Sequence, residues 1–491
     1  MMQISDLMRQ SGVGFGTSGA RGLVSQMTDW VCYAYTRGFL SYLTEIGAFA
    51  GGMAVGIGGD LRPSTPRIMT ACARAIADAG GQPVNLGLIP SPAVALYGFQ
   101  RRIPTLMVTG SHIPDDRNGI KFNRPESEVL KRDEEGIRVQ WIDQPAGLFG
   151  ADGVFTSDQS GYLTEESDAA RELYFARYLG FFPAGPLQGL RIGVYEHSSV
   201  ARELLSELLS RLGAEVVRLG RSATFVPVDT EAIRLEDQEL ARRWVPEYRL
   251  ATLVSTDGDG DRPLIADEQG HWLRGDILGV LCARALGIQA VATPVSSNTV
   301  VERYGAFTRV LRTRIGSPFV IEGMGSLLDG GFAPVAGYEA NGGFLLASAL
   351  EHEGRRLDAL PTRDAVLPIL VLLAESKRRG LRLSELTGEL PPRFTASSRL
   401  KDFPTELSQA HLAALQQNPA RIESEFGADF GLLAGLETTD GLRMIFKNGE
   451  ILHLRPSGNA PELRVYTEAD TSARAEAMVK IALAHLERWR S

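Results

Sequence analysis

Cysteine is scarce in this chain. The three residues, Cys32, Cys72 and Cys282, are odd in number and show no Cys-x-x-Cys spacing, which argues against a disulfide frame and for reduced, buried thiols. Long hydrophobic runs are also missing. The most apolar stretch, Val366 to Ala374, is short and interrupted by Pro368, so no segment is expected to cross a bilayer. The first residues are polar, with Asp6 and Arg9 and no apolar core of a signal peptide, so a cytoplasmic location is expected. Basic runs are absent and the net charge is −8, which excludes a nucleic-acid coat. A small anionic ligand is not excluded, because screening over about 8 Å makes local arginines count for more than the total charge.

What is present is ordinary globular composition. With 491 residues, 44% hydrophobic and 22% charged, the chain is long enough for three or four domains, each burying its own core. Met53 to Ile57 reads as a strand, and Ser64-Thr65-Pro66 opens a helix with an apolar stripe at Ile68, Cys72, Ala75, Ile76 and Ala79, ended by glycines. A strand around Val84 to Leu88, a helix after Pro92 and the strand Thr105 to Val108 complete a βαβαβ pattern. It predicts a mainly parallel sheet with ligands at the carboxyl ends of its strands.

The rhythm returns twice, without a sequence repeat. Strands at Arg191 to Tyr195, Glu215 to Leu219 and Ala251 to Ser255 form one further unit; the helix Asp276 to Leu286 and strands at Ala290 to Thr293 and Thr308 to Leu311 belong to another. The last hundred or so residues differ. Leu442 to Phe446 and Ile451 to Leu454 flank Asn448-Gly449, a hairpin signal, and a helix carrying Ala477, Ile481 and Leu486 closes the chain, predicting antiparallel sheet plus helices.

Each unit ends its pattern in a polar, Gly-rich loop. Asp257, Asp259 and Asp261 alternate with glycines, so three hard oxygen ligands can turn toward one point, as Mg²⁺ or Ca²⁺ requires. The spacing, with Glu268 at the twelfth position, imitates an EF-hand. Against that, Arg262 stands where the EF-hand needs glycine, Pro263 follows, and the preceding residues read as strand. Ser111, beside His112 and near Lys121, sits in Thr109-Gly110-Ser111-His112-Ile113-Pro114. A phosphorylated Ser111 brings nearly two negative charges. A hydrolase triad is disfavoured, because adjacent Ser and His do not easily face each other and no Gly-x-Ser-x-Gly surrounds them. The stretch Gly14 to Gly22, with Thr17 and Arg21, and the stretch Arg455 to Pro461, with Arg464, offer backbone N–H groups and guanidiniums to an anion. Glu339 and Asn341, in Gly337 to Gly343, suit sugar hydroxyls or a helix cap.

Taken in this order, the five loops resemble those of the α-D-phosphohexomutase family: F-G-T-S-G-A-R-G, T-G-S-H-I-P with N-G-I-K-F, D-G-D-G-D-R, G-Y-E-A-N-G-G and R-P-S-G-N-A-P-E-L-R-V-Y. The resemblance implies three α/β domains of βαβ type with mixed sheets and a C-terminal α+β domain, around one cleft, with expected extents 1–160, 161–272, 273–385 and 386–491. It implies phosphoserine at Ser111, and Mg²⁺ held by Asp257, Asp259, Asp261 and a phosphoserine oxygen. Arg21, Lys121, Arg262 and His112 would line the reaction centre, with the hydroxyl proton managed by Lys121 or Arg21, if burial among cations lowers a pKa, or by His112.

Thr17, Glu339 and Asn341 would contact substrate, and Arg455, Ser457, Gly458, Asn459 and Arg464 would grip the phosphate that is not reacting. The implied partners are a phosphosugar and a hexose 1,6-bisphosphate activator, with neither nucleic acid nor membrane, in a monomer or homodimer. Within the family the layout is most similar to the bacterial phosphomannomutases, so mannose phosphate is the expected substrate; the alternatives are a glucose-phosphate or dual-specificity mutase, then an (acetyl)glucosamine-phosphate mutase, and last a non-catalytic sugar-phosphate or Ca²⁺-binding regulator. The sequence departs from the common pattern at Ile113, Ser317, Gly343 and Asn459-Ala460, which leaves the sugar open.

Overall fold

The computed structural model describes residues 1–16, 19–457 and 461–490. Its first unit is a six-stranded sheet ordered Gly14–Phe15, Ala20–Leu23, Arg117–Asn123, Thr105–Val108, Ala54–Gly59, Gln82–Leu88. The last three strands are parallel and the first three antiparallel, so the expected mainly parallel sheet holds for one half only. The reason is the connection. A parallel return needs a crossover of roughly a dozen residues or more, and the chain comes back from Val108 through 109–116 alone.

The helix Thr65–Asp78 forms where its apolar stripe demands it. Pro66 sits in its first turn, and Ile68, Cys72, Ala75 and Ile76 are fully buried, each isoleucine contributing roughly 1.5–3 kcal/mol by burial. A longer helix, Asp29–Glu45, packs beside it and is buried around most of its circumference.

The second sheet runs Glu215–Arg221, Arg191–His197, Thr252–Thr256, Pro263–Ala266, and the third runs Arg309–Thr313, Ala290–Pro294, Val335–Tyr338, Phe344–Leu346, Leu360–Asp364. Both repeat one scheme found in the first: two parallel pairings, then an antiparallel return. The serine loop, the aspartate loop and the sugar-type loop each occupy that reversal. A shared strand-helix-strand rhythm in the sequence is therefore a structural repeat that sets three loops in equivalent places. The aspartate loop joins two strands of one sheet, which removes the helix-loop-helix of an EF-hand.

The last sheet, Phe394–Leu400, Leu463–Ala469, Ile451–Pro456, Leu442–Phe446, Leu433–Glu437, is wholly antiparallel. Its helices Thr405–Gln417, Pro419–Phe430 and Ser472–Glu487 share a core of their own with it. By contrast, the second and third units share one apolar core with part of the first, in which Val94, Tyr174, Leu204, Leu278 and Leu370 are all buried. All three cysteines are buried and free. Among the described residues, no helix is long and apolar enough to cross a membrane.

Candidate active site

Ser111 is fully buried and has φ 56°, a left-handed conformation that costs a non-glycine residue roughly 1–2 kcal/mol. Its neighbours hold it there. The Ser111 N–H donates to Thr109 Oγ1 at 2.7 Å, and Thr109 Oγ1 donates to Asp60 Oδ2 at 2.7 Å. Arg62, itself paired with Asp60, donates to the Ser111 carbonyl at 3.1 Å and to that of Ile113. Ser111 Oγ donates to Asp257 Oδ2 at 2.7 Å, across to the second unit. His112 Nδ1 lies 3.4 Å from the same Oγ. That corrects the expectation that adjacent Ser and His do not easily face each other; at this left-handed turn the two side chains lie on one side.

Asp257, Asp259 and Asp261 are buried, each with a carboxylate oxygen within 4.8 Å of the others. Lys121 Nζ sits 2.5 Å from Asp259 Oδ2 and 2.6 Å from Asp261 Oδ2. The Oδ1 atoms of Asp259 and Asp261 are buried without a hydrogen-bond partner, an arrangement that costs roughly 1–3 kcal/mol or more per atom. Asp257 Oδ1 is occupied differently, accepting from the N–H groups of Asp261 and Arg262, both at 3.2 Å. Burial, then the carboxylates of Asp259 and Asp261, pushes Asp257 well above the usual carboxylate range. Orphaned oxygens in a crowded acidic cluster are what a hard divalent cation satisfies, so the residues fit a metal.

Cations surround this cluster. Arg21 lies on the strand Ala20–Leu23, not in a free loop, and burial followed by Arg262 lowers it to about 10. Burial, then Arg262 and Arg21, also holds His112 below its ordinary value. Lys121 contradicts the sequence expectation. Burial works to lower it, but Asp259 and Asp261 outweigh that and the net direction is upward. It faces carboxylates, so it stays charged and is a poor proton acceptor.

In the sugar-type loop, Glu339 and Asn341 are buried, and Glu339 Oε2 meets Arg363 Nη1 at 3.3 Å. The Asn341 amide oxygen is already used by the Gly343 N–H at 2.9 Å, and its backbone carbonyl accepts from Thr230 at 2.7 Å. Its amide nitrogen is the donor left to face a ligand.

Arg455 and Arg464 lie on a different wall. The expected Arg455 loop is strand as far as Pro456, since Arg455 pairs directly with Arg464 across the C-terminal sheet. Arg399 pairs with Arg464 on the other side. Directly opposed residues share a face, so three guanidiniums form one rung, opposite the face that buries Leu400 and Leu463. Arg455 also meets Asp440 at 2.8 Å, and Ser457 is buried. Thr17, Gly458 and Asn459 lie outside the described residues.

Sequence reasoning missed Arg62, Arg363 and Arg399, which belong to none of the Gly-rich loops. One signal was available: Arg363-Asp364 immediately precedes a strongly apolar helix, Val366–Arg379, where a charged pair must be buried and partnered.

Residues 12–142, 176–270 and 274–394 match, in turn, alpha/beta/alpha domains I, II and III of phosphoglucomutase/phosphomannomutase, and residues 404–484 match its C-terminal domain. The chain belongs to the phosphoglucomutase/phosphomannomutase family. Two relatives, each called phosphomannomutase, cover nearly all of it: one from Salmonella muenchen is 44% identical over 98% of this chain and 97% of its own, and one from Sinorhizobium fredii is 42% identical over 97% and 99%. The fold is that of a phosphoglucomutase/phosphomannomutase family protein from Burkholderia thailandensis, with TM-score 0.71, 21% identity, and coverage of 100% of this chain and 98% of that one. The chain is thus a phosphohexomutase by family, an isomerase that moves a phosphoryl group within its substrate.

Proposed function

We propose that this protein interconverts mannose 6-phosphate and mannose 1-phosphate through phosphorylated Ser111 and a bound hexose 1,6-bisphosphate. The observation that carries the reading is the buried Ser111 Oγ, 2.7 Å from one carboxylate of a triad whose other members keep unpartnered oxygens.

Asp257, Asp259 and Asp261, with an oxygen of phosphorylated Ser111, would hold Mg²⁺. When bound, that ion supplies neutralisation of the phosphoryl charge. The chain's own groups do the rest. The Ser111 Oγ–P bond breaks as a bond forms between phosphorus and the free sugar hydroxyl, with Arg21 and Arg262 donating to the phosphoryl oxygens. We assign to His112 the relay of the sugar hydroxyl proton to the departing Ser111 Oγ, which thereby leaves as a neutral hydroxyl, supported by the 3.4 Å between His112 Nδ1 and that Oγ. Lys121 holds two of the carboxylates in place. Glu339 accepts from sugar hydroxyls and the Asn341 amide donates to them. Arg455, Ser457 and Arg464, with Gly458 and Asn459, bind the phosphate that is not reacting, and Thr17 contacts the substrate. The bisphosphate turns over in the cleft, and its other phosphate returns to Ser111 as the reverse step, restoring the proton.

Mannose is supported by the two relatives above 40% identity, both phosphomannomutases by name. A phosphoglucosamine mutase of Symbiobacterium thermophilum is only 28% identical. A glucose-active or dual enzyme is the second reading, favoured by the family's double name. A monomer or homodimer is the assembly proposed with this activity. Three buried free thiols support the cytoplasm. The test is kcat/KM for mannose 1-phosphate, glucose 1-phosphate and N-acetylglucosamine 1-phosphate with a bisphosphate activator. A clear preference for mannose supports the proposal; equal values for mannose and glucose replace it with dual specificity.

A further inference from the structure

Arg363 lies on Leu360–Asp364, the edge strand of the third sheet, and its side chain is 4% exposed. Its backbone is fixed from two sides. Asp364 pairs with Phe344, the residue after the sugar-type loop, and accepts hydrogen bonds from Tyr174, at 2.6 Å, and from Tyr178. The guanidinium then reaches two carboxylates from different units. Nε and Nη2 meet Asp261 Oδ2 at 3.0 and 2.9 Å, while Nη1 meets Glu339 Oε2 at 3.3 Å.

Room for this is made at Gly343. A Cβ there would stand 2.6 Å from Arg363 Cδ and 2.7 Å from Cγ, closer than atoms tolerate, so Arg363 fills the space a side chain at position 343 would take.

The pattern of contacts sorts the carboxylate oxygens. Lys121 and Arg363 both bind Asp261 through Oδ2, and Lys121 binds Asp259 through Oδ2. The Oδ1 atoms are the ones left buried and without a hydrogen bond; Arg262 Nε stands 3.7 Å from Asp261 Oδ1. Cations on one oxygen thus turn the other toward the triad's centre. Lys121 reaches the two aspartates and, at 3.4 Å, Ser91 Oγ, whereas Arg363 also reaches the loop that meets the sugar.

Resting on the mutase reading above, we propose that Arg363 is a positioning residue: one guanidinium fixes Asp261 as a metal ligand and Glu339 as a hydroxyl acceptor, coupling the metal loop to the sugar loop. A planar fork can bridge two carboxylates; a single ammonium cannot do so with the same geometry. Arginine and lysine should therefore separate the two duties.

The experiment uses full-length Arg363→Met and Arg363→Lys, with Mn²⁺ affinity measured by calorimetry and KM and kcat for mannose 1-phosphate measured with a bisphosphate activator. Arg363→Met should weaken Mn²⁺ and raise KM, each by about tenfold, the scale of one lost charge-assisted contact. Arg363→Lys should recover Mn²⁺ affinity to within about threefold while KM stays raised, because its charge reaches Asp261 but its head cannot also orient Glu339. A folded Arg363→Met with wild-type Mn²⁺ affinity and KM overturns the proposal. So does Arg363→Lys if it restores both quantities, since charge alone would then suffice, or if it restores neither. Should Arg363→Met not fold, Arg363→Lys decides by the same criteria. A wild-type protein that turns over no hexose phosphate refutes the mutase reading instead; Mn²⁺ and mannose 1-phosphate affinities of the variants then judge Arg363.

Discussion

Ser111 Oγ and Asp257 Oδ2 stand 2.7 Å apart although 146 positions separate them in the chain. The contact exists because the metal-type loop can approach the serine loop at Gly258, where an added Cβ would lie 2.6 Å from the Ser111 carbonyl oxygen. Gly258→Ala should therefore push the loops apart. Expected is a loss of turnover of roughly a hundredfold, the scale for misplacing reacting groups by about 1 Å, with circular dichroism unchanged. Wild-type turnover in that variant would show that the loops need not meet as closely as they do.

Lys121 contacts both Asp259 and Asp261, and Arg363 shares Asp261 with it. Replacing Lys121 with methionine takes the contacting cation from Asp259 and leaves Asp261 to Arg363, which should destabilise the metal-free protein by about 3–5 kcal/mol. Added Mg²⁺ should return part of that loss. Thermal melts of wild type and Lys121→Met with and without Mg²⁺ test this: the difference in Tm should narrow when the metal is present.

Arg399 shares a rung with Arg464 and Arg455 and is half exposed, its partner Glu462 being 3.5 Å away. It should add a screened attraction for phosphate and take no part in the transfer. Arg399→Ala should raise KM by roughly two- to fivefold at low salt, the effect of an exposed charge, leave kcat unchanged, and lose its effect as salt rises. An unchanged KM at low salt would remove Arg399 from the socket.

His453 is held neutral in the fold. Burial, followed by Arg443 and Arg455, outweighs the Asp440 groups beside it and lowers the ring from 6.5 to about 4. The unfolded chain then binds more protons between those values, so stability is complete above about 6.5 and falls as pH drops toward 4. The contribution is on the order of 2–3 kcal/mol at most. His453→Gln should flatten the decline of Tm between pH 7 and 4; an unaltered slope would assign the acid sensitivity elsewhere.

The parts legible in the sequence are those whose signal is local. Asp257-Gly258-Asp259-Gly260-Asp261 announces itself by alternation, and Ile68, Cys72 and Ala75 by helical spacing. Arg117–Asn123 was not legible as a strand of the first sheet, because its polar residues mask its alternation and its partner strand Ala20–Leu23 is distant in sequence. Asp29–Glu45 has no polar face to mark its period. Arg399 looks like any strand arginine until sheet register brings it beside Arg464, and Arg363, marked locally only by the apolar helix that follows it, shows its two carboxylate partners only through long-range pairing.

The central claim is that Ser111 carries the phosphoryl group. Intact-mass spectrometry of the purified protein, followed by peptide mapping, should show a partial adduct of about 80 Da on Ser111 that is absent from Ser111→Ala, and that variant should have no mutase turnover. An adduct-free wild type that still turns over mannose 1-phosphate, or Ser111→Ala at wild-type rate, would contradict the account.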